Sequence, residues 1–275
     1  MYASLSITPP DAALNDSRPW LHGSDLIQNS RRIAPRHHHI RGQILGIERG
    51  VMVFHTERAC WSVGPGQVLW LPPNQPHEAR SHGAMAGWTL YLHPSRCHVL
   101  PDSPFISEGT PLLNAQAERL ARITQTDAIS AVTSRLAESF WDEWIALPRH
   151  VSALPIPSDA RLRRVTDHLE TTSGDNRSQS DWASLAGMSL RSFVRHFKAD
   201  TGTGFASWLQ KWRMIEAQQR LARGERVTEV ALAVGYESIG AFSAAFRRST
   251  GYRPSQFAKN ANSNKRRTAI WATGR

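Results

Sequence analysis

Arg191, Arg195 and Lys198 stand at i, i+4 and i+7, a spacing that brings three cations to one face of a helix. Leu190, Phe193 and Phe197 of the same segment fall on the other side, which is expected to pack inward. An arginine fork can donate to guanine O6 and N7 together, so cations near the start of an outward helix face suit the base edges of a major groove. A solvated basic surface has the same spacing, so the pattern takes its meaning from its surroundings.

Those surroundings are a repeat. Phe193-Val-Arg-His-Phe197-Lys198-Ala-Asp-Thr201-Gly202 returns 49 residues later as Phe242-Ser-Ala-Ala-Phe246-Arg247-Arg248-Ser-Thr250-Gly251. Each copy follows an Ala-rich segment, a glycine and a serine: Leu185-Ala-Gly187-Met-Ser189, and Leu232-Ala-Val-Gly235-Tyr-Glu-Ser238. Helix, glycine turn, N-capping serine and second helix are the succession of a helix-turn-helix, so two such units are expected. Between them, Phe205, Trp208, Leu209, Trp212 and Ile215 predict one connecting helix over Phe205–Arg223. At 1.5 Å per residue it spans about 28 Å, near the roughly 34 Å of one DNA turn, so one chain could read two successive major grooves.

The charge distribution agrees. Residues 1–157 carry 13 Lys+Arg and 13 Asp+Glu, whereas residues 158–275 carry 20 and 10, so the whole excess of +10 lies in the C-terminal part. A neutral domain joined to a basic one implies that only the second meets a polyanion. The 275 residues suffice for two cores. No apolar run reaches the length of a membrane span, and the N-terminus lacks the basic start and apolar run of a signal peptide. A cytoplasmic, nucleoid-associated protein is expected, with Cys60 and Cys97 as free thiols.

Residues 1–30 lack periodicity and read as an N-terminal arm. Residues 31–110 read as a small β sandwich or barrel: Gln43–Ile47, Val51–Thr56, Gln67–Leu71 and Trp88–Leu92 are short runs set off by Arg49-Gly50, Gly64-Pro65-Gly66 and Pro72-Pro73-Asn74. Over 111–147, Leu112, Leu113, Ala117, Leu120, Ala121 and Ile123, then Ile129, Val132, Leu136, Phe140, Trp141 and Trp144, recur at helical spacing. These two helices can pack on their own sheet or on a second copy, and dimerisation is the expectation. The three prolines of 148–159 mark a linker, 160–259 is helical throughout, and 260–275 is a basic tail whose Lys265-Arg266-Arg267 can touch phosphates. The fold class is therefore α+β in two domains.

Residues Trp182–Lys259 closely resemble the DNA-binding domain of the AraC/XylS family. The resemblance rests on LAGMSLRSFVRHFKADTGTGFASWLQKWR, on Gln219-Arg220-Leu221-Ala222, and on VTEVALAVGYESIGAFSAAFRRSTGYRPSQF with its Gly235-Tyr236 and Arg253-Pro254-Ser255. It implies sequence-specific regulation of transcription, usually activation through RNA polymerase at a promoter, by an effector-responsive homodimer. The family's base-contacting positions fall on Arg191, Val194 and Arg195 in the first unit, with Ser189, Ser192 and Lys198 beside them. In the second they fall on Ile239, Gly240, Ser243 and Ala244, next to Ser238. Those side chains offer almost no base hydrogen bonding. The second unit is thus expected to grip phosphate through Arg247 and Arg248, and the first to discriminate.

The β region resembles the cupin-like sensor domain found in many members of that family, through His37-His38-His39-Ile-Arg-Gly-Gln43, Gly64-Pro65-Gly66 and Leu71-Pro-Pro-Asn-Gln-Pro-His77. By that resemblance His37, His39 and His77 occupy metal-ligand positions, while Gln43 stands where a glutamate is expected. Three imidazoles suit Zn, Fe, Ni or Cu, and the amide is a weaker, neutral ligand. The same histidines could instead line a polar pocket, so no cofactor is required and a divalent transition metal is the alternative. His38 alternates to the opposite face of a strand. Trp61, Trp70, Trp88 and Tyr91 lie on or beside the strands and, if not core, add aromatic walls to an effector pocket. The rival reading from another class is a cupin-type metal-dependent dioxygenase or isomerase fused to a DNA-binding domain.

Overall fold

The computed structural model describes residues 19–81, 83–124, 130–150 and 153–262. Its N-terminal part is two antiparallel five-stranded sheets face to face. One has the order β1(Leu21–Gln28)-β8(Met85–Leu92)-β3(Gly42–Arg49)-β6(Gln67–Leu71)-β9(Phe105–Glu108). The other has the order β10(Leu154–Pro155)-β5(Ala59–Val63)-β4(Met52–His55)-β7(His77–Ser81)-β2(Arg32–His37).

Period-two alternation divides each strand between two apolar layers. Leu45, Ile47, Met52, Phe54, Trp61, Leu69 and Leu71 meet between the sheets. Ile44, Val68, Trp70, Trp88, Leu90 and Leu92 point out of the first sheet, onto the helices α2(Pro111–Ile123) and α3(Ala131–Ala146); a short α1(Pro94–Cys97) lies beside them. The bulk of Trp88 and Trp70 is accommodated because Gly46 and Gly42 leave bare backbone beneath the rings, where a Cβ would collide with them.

The helices at 111–147 form where the periodicity predicts, but their apolar stripe is used within the chain. Leu113, Ala117, Leu120 and Ala121 of α2 and Ala137, Phe140, Trp141 and Trp144 of α3 are buried against the first sheet. Of the two partners open to this stripe, the chain's own sheet takes it, which leaves Leu112 and Val132 exposed; Ile129 lies outside the described residues. Two further boundaries move. Residues 21–28 are not arm but β1, paired with β8 along its whole length, its alternation obscured by Ser24, Asp25 and Gln28. Residues 1–18 lie outside the described residues. Within the linker, Leu154–Pro155 pairs with β5, and His150 bridges to Ile106.

The C-terminal part is helical: α4(Ala160–Thr171), α5(Gln179–Leu185), α6(Leu190–Thr201), α7(Phe205–Ala222), α8(Val227–Ala233), α9(Ile239–Thr250) and α10(Pro254–Asn262). Lys265, Arg266 and Arg267 lie outside the described residues. Its core, with Trp182, Phe193, Phe197, Trp208, Phe242 and Phe246, is continuous with Val51, Val53, Cys60 and Leu154 on the outer face of the second sheet. Cys60 and Cys97 are free and buried, and burial pushes their thiols up to about 12 and about 11. Among the described residues no helix is long and apolar enough to cross a membrane.

Candidate nucleic-acid interface and sensor cavity

Each repeat folds as its punctuation predicts. In the first unit a Ser178–Asp181 capping box opens α5, Gly187 turns the chain at φ 66°, and Ser189 caps α6 by accepting from the Ser192 amide. In the second, Gly235 turns at φ 82° and Ser238 caps α9 by accepting from the Ala241 amide. The 18 residues of α7 separate the units by a rod of about 27 Å.

On α6, Phe193 and Phe197 are fully buried, while Arg191, Val194, Arg195 and Lys198 form one exposed surface. Leu190 joins that surface at 44% exposure instead of packing inward, because it is the first residue of α6 and precedes the helix's first buried position. The exposed face therefore combines cations with Leu190 and Val194, whose methyls suit the C5-methyl of thymine. On α9 the outward residues are Ile239, Gly240 and Ala244, with half-buried Ser243 beside them. Arg247 shares a shallow surface with Ser243 and Ala244, whereas Arg248 points elsewhere. It lines a cavity of about 350 Å³ between the two domains with Lys211, Gln218 and Gln67, so the two arginines expected to grip phosphate together face different neighbours.

Between the sheets lies a second cavity of about 310 Å³, lined among others by His37, Gln43, His77 and Tyr91. The three candidate histidines do converge: ring centroids are 4.4 Å apart for His37–His77, 5.3 Å for His39–His77 and 6.1 Å for His37–His39. Each ring is oriented by a backbone carbonyl accepting from Nδ1: Pro35 for His37 (2.7 Å), Arg41 for His39 (2.6 Å) and Gln75 for His77 (2.8 Å). Gln43 Nε2 donates to Thr89 Oγ1 (2.9 Å), and Gln43 Oε1 lies 3.2 Å from His39 Nε2. Burial lowers the pKa of His39 and takes that of His77 down to about 3, while it pushes the Tyr91 hydroxyl up to about 12, so these three groups are uncharged at pH 7. His38 is exposed, in the segment that follows β2 and not on a strand.

The tryptophans separate by parity. Trp61 lies between the sheets, but Trp70 and Trp88 point out of the first sheet and belong to the helix-covered core, which corrects their assignment to the effector pocket. Sequence reasoning also missed the far end of the cavity, where Gln28 and Arg32 stand. Gln28 accepts from Ser81 Oγ at 2.6 Å, yet its Nε2 and the Nε of Arg32 are buried with no hydrogen-bond partner among the described residues. The signal that could have found them is a glutamine on a strand otherwise read as arm.

Residues 182–260 match the model of a helix-turn-helix domain, and residues 24–143 match that of an AraC-like ligand binding domain. The HTH-type transcriptional regulator NimR of Escherichia coli (strain K12) is 27% identical over 224 residues, 82% of this chain and 82% of that protein. The HTH-type transcriptional regulator RipA of Corynebacterium glutamicum is 33% identical over 103 residues, 38% of this chain and 31% of RipA. Among solved structures, ToxT from Vibrio cholerae O395 aligns over 89% of this chain and 99% of its own with 11% identity and a TM-score of 0.40. With both halves matched in this order, the chain belongs to the AraC family of DNA-binding transcriptional regulators.

Proposed function

We propose that this regulator reads two successive major grooves of promoter DNA with α6 and α9, and that occupancy of the cavity between its sheets controls how it does so. The observation that carries the reading is the parity of β4 and β5. Phe54 and Trp61 face the space between the sheets, while Val53 and Cys60, on the opposite faces of the same strands, share a core with the DNA-binding helices. A ligand that shifts these strands therefore acts directly on the packing under α7. Buried donors without partners cost about 1–3 kcal/mol each. Gln28 Nε2 and Arg32 Nε, unpartnered among the described residues, favour an effector that carries an acceptor oxygen, such as a carboxylate.

In this reading α6 discriminates sequence through Arg191 and Arg195, α9 anchors through Arg247, and RNA polymerase is the protein partner at the promoter. A second copy has Leu112 and Val132, exposed on α2 and α3, to cover. Selection of bound genomic fragments, followed by transcription with RNA polymerase on the selected promoter, tests the proposal, and the genes flanking those fragments suggest effectors to add. A steep salt dependence with no preference for any fragment would reduce the protein to a non-specific binder.

A further inference from the structure

The cavity of about 350 Å³ between the two domains is walled from both sides: by Ser62 of β5, Gln67 of β6 and Leu154 of the linker, and by Lys211 and Gln218 of α7 and Arg248 of α9. Its floor is apolar, with Ile106, Leu154, Ile215 and Phe257 all buried. Among the described residues its wall carries two cations and no carboxylate. Arg220 and Arg223, on or next to α7, are paired with Glu216 and Glu225, whereas Lys211 and Arg248 take part in no ion pair among the described residues. The polar neighbours are committed so that donors remain. Gln67 Oε1 accepts from the Gly64 amide (3.1 Å) and its Nε2 donates to Glu108 Oε1 (3.0 Å). Gln218 Oε1 accepts from Ser62 Oγ (2.9 Å), which leaves Gln218 Nε2, a donor, with no acceptor among the described residues. What the cavity lacks is an acceptor with negative charge.

We propose that this cavity is a second ligand site, distinct from the one between the sheets, for a doubly charged oxyanion on a small apolar body: a phosphate monoester or a dicarboxylate. Two like charges at one hollow repel, and a single negative charge offsets only one of them. An arginine fork matches two oxygens of a carboxylate or phosphate, and a lysine adds a point charge beside it. The apolar floor takes the body of the ligand. The occupant touches β5 and the linker on one side and α7 and α9 on the other, so it joins the domains where Ser62 meets Gln218. It also cancels two of the cations behind the C-terminal excess of +10, so operator affinity falls when the site is filled. By linkage, operator DNA lowers the affinity for the ligand by the same factor.

The experiment is calorimetric titration of the full-length protein with phenyl phosphate, phthalate and benzoate, in phosphate-free buffer at about 0.15 M salt. One of the two dianions should saturate at one equivalent, and the tighter of them identifies the head group. Benzoate, with one charge, should bind about 10-fold or more weakly. Lys211 and Arg248 are exposed, so Lys211→Gln and Arg248→Gln leave the cores intact. Each should weaken the tighter dianion about 10-fold or more, and Arg248→Lys should weaken it less, because it keeps the charge and loses the fork. Absence of saturable binding by either dianion, benzoate binding as tightly, or binding unchanged by both glutamine variants overturns the proposal. Binding that ignores those variants and is lost in Arg32→Gln places the ligand between the sheets, which overturns this site and supports the sensor reading. Saturating dianion should lower operator affinity about 5-fold or more. Tight dianion binding that leaves operator affinity unchanged overturns the effect on DNA, while the site stands. If both glutamine variants weaken operator binding of the ligand-free protein as much as they weaken the dianion, the two cations serve the DNA backbone and the site is overturned.

Discussion

The guanidinium of Arg213 occupies the place where a Cβ on Gly235 would have to go, its Nη2 only 2.8 Å from that position. Arg213 belongs to the connecting helix α7 and Gly235 to the turn of the second helix-turn-helix, and a third element closes the contact. Arg213 Nη2 donates to Asp175 O (2.9 Å) and Asn176 Oδ1 (2.7 Å), while Asn176 Nδ2 donates to Gly235 O (3.2 Å). Asp175 and Asn176 lie in the loop that leads into α5 of the first unit. Three segments distant in sequence therefore fix the angle between the two DNA-facing helices.

Gly235→Ala places a Cβ in a left-handed turn, which costs about 1–2 kcal/mol before Arg213 is displaced. We expect this variant and Arg213→Ala to lose about 2–4 kcal/mol of stability in urea unfolding, given the charge-assisted bonds involved. The sharper readout is spacing. On operator DNA lengthened by one base pair between the two contacted grooves, wild type should lose more affinity than Arg213→Ala does. Equal losses would mean that this contact does not set the spacing.

The two faces predict unequal effects on sequence preference. Arg195→Ala should flatten discrimination at one base pair by about 1–3 kcal/mol, the worth of a good bidentate contact. Ser243→Ala should leave discrimination nearly unchanged, and Arg247→Ala should weaken all sequences alike and lessen the salt slope. Competitive binding to randomised operators reads all three. A larger shift in preference from Ser243→Ala than from Arg195→Ala would reverse the division of labour between the units.

How much of this was legible in the sequence depended on which physical signal each residue carried. The repeat made both DNA-facing helices visible, because buried Phe193 and Phe197 recur as Phe242 and Phe246 between a capping serine and a closing Thr-Gly. The histidine cluster was legible from spacing and family likeness together. The tryptophans were not, since aromatic residues suit either face of a strand. Yet register decides the matter: Gln43 pairs with Leu71 and Tyr91, all facing inward, so Trp70 beside Leu71 must face out. Such pairing is non-local and invisible without a partner assignment. The same holds for β1, whose membership in the sheet rests on β8, more than 50 residues away in sequence. Trp88→Ala should accordingly cost about 3–5 kcal/mol of stability as a core truncation.

Acid should weaken the metal-free fold within a definite window. Burial, aided by Arg80 and opposed by Glu78, lowers the pKa of His55 to about 4, and burial takes His77 to about 3. Both are neutral in the folded state and protonate near 6.5 when unfolded, so their contribution is complete above pH 6.5 and shrinks as the pH falls. Each group costs about 1.4 kcal/mol per pH unit between 6.5 and its folded value. Glu170 and Glu216, whose carboxyls burial raises, act with the opposite sign and offset part of the loss. Urea unfolding of chelated protein should give lower stability at pH 5 than at pH 7, by about 1–3 kcal/mol, with a smaller difference in His55→Gln. A stability that rises toward pH 5 would contradict the burial of these rings.

Coupling between the domains has its own point of attack. Ser62 Oγ donates to Gln218 Oε1 at 2.9 Å, the Gly50 amide donates to Ala261 O at 3.0 Å, and a Cβ on Gly64 would lie 3.3 Å from the Phe257 ring. Gly64 carries no left-handed strain, so a larger residue there acts through space alone. Gly64→Phe should wedge the β turn away from α10 while both cores stay folded, because the wedge lies at their boundary. The expected result is a protein that still binds its operator but whose affinity no longer responds to whatever fills the cavity between the sheets. The response is read as the ratio of dissociation constants with and without ligand, which should fall toward one in Gly64→Phe and keep its wild-type value in Gly64→Ala. An unchanged ratio in the phenylalanine variant, with ligand binding intact, would place the coupling route elsewhere than at this contact.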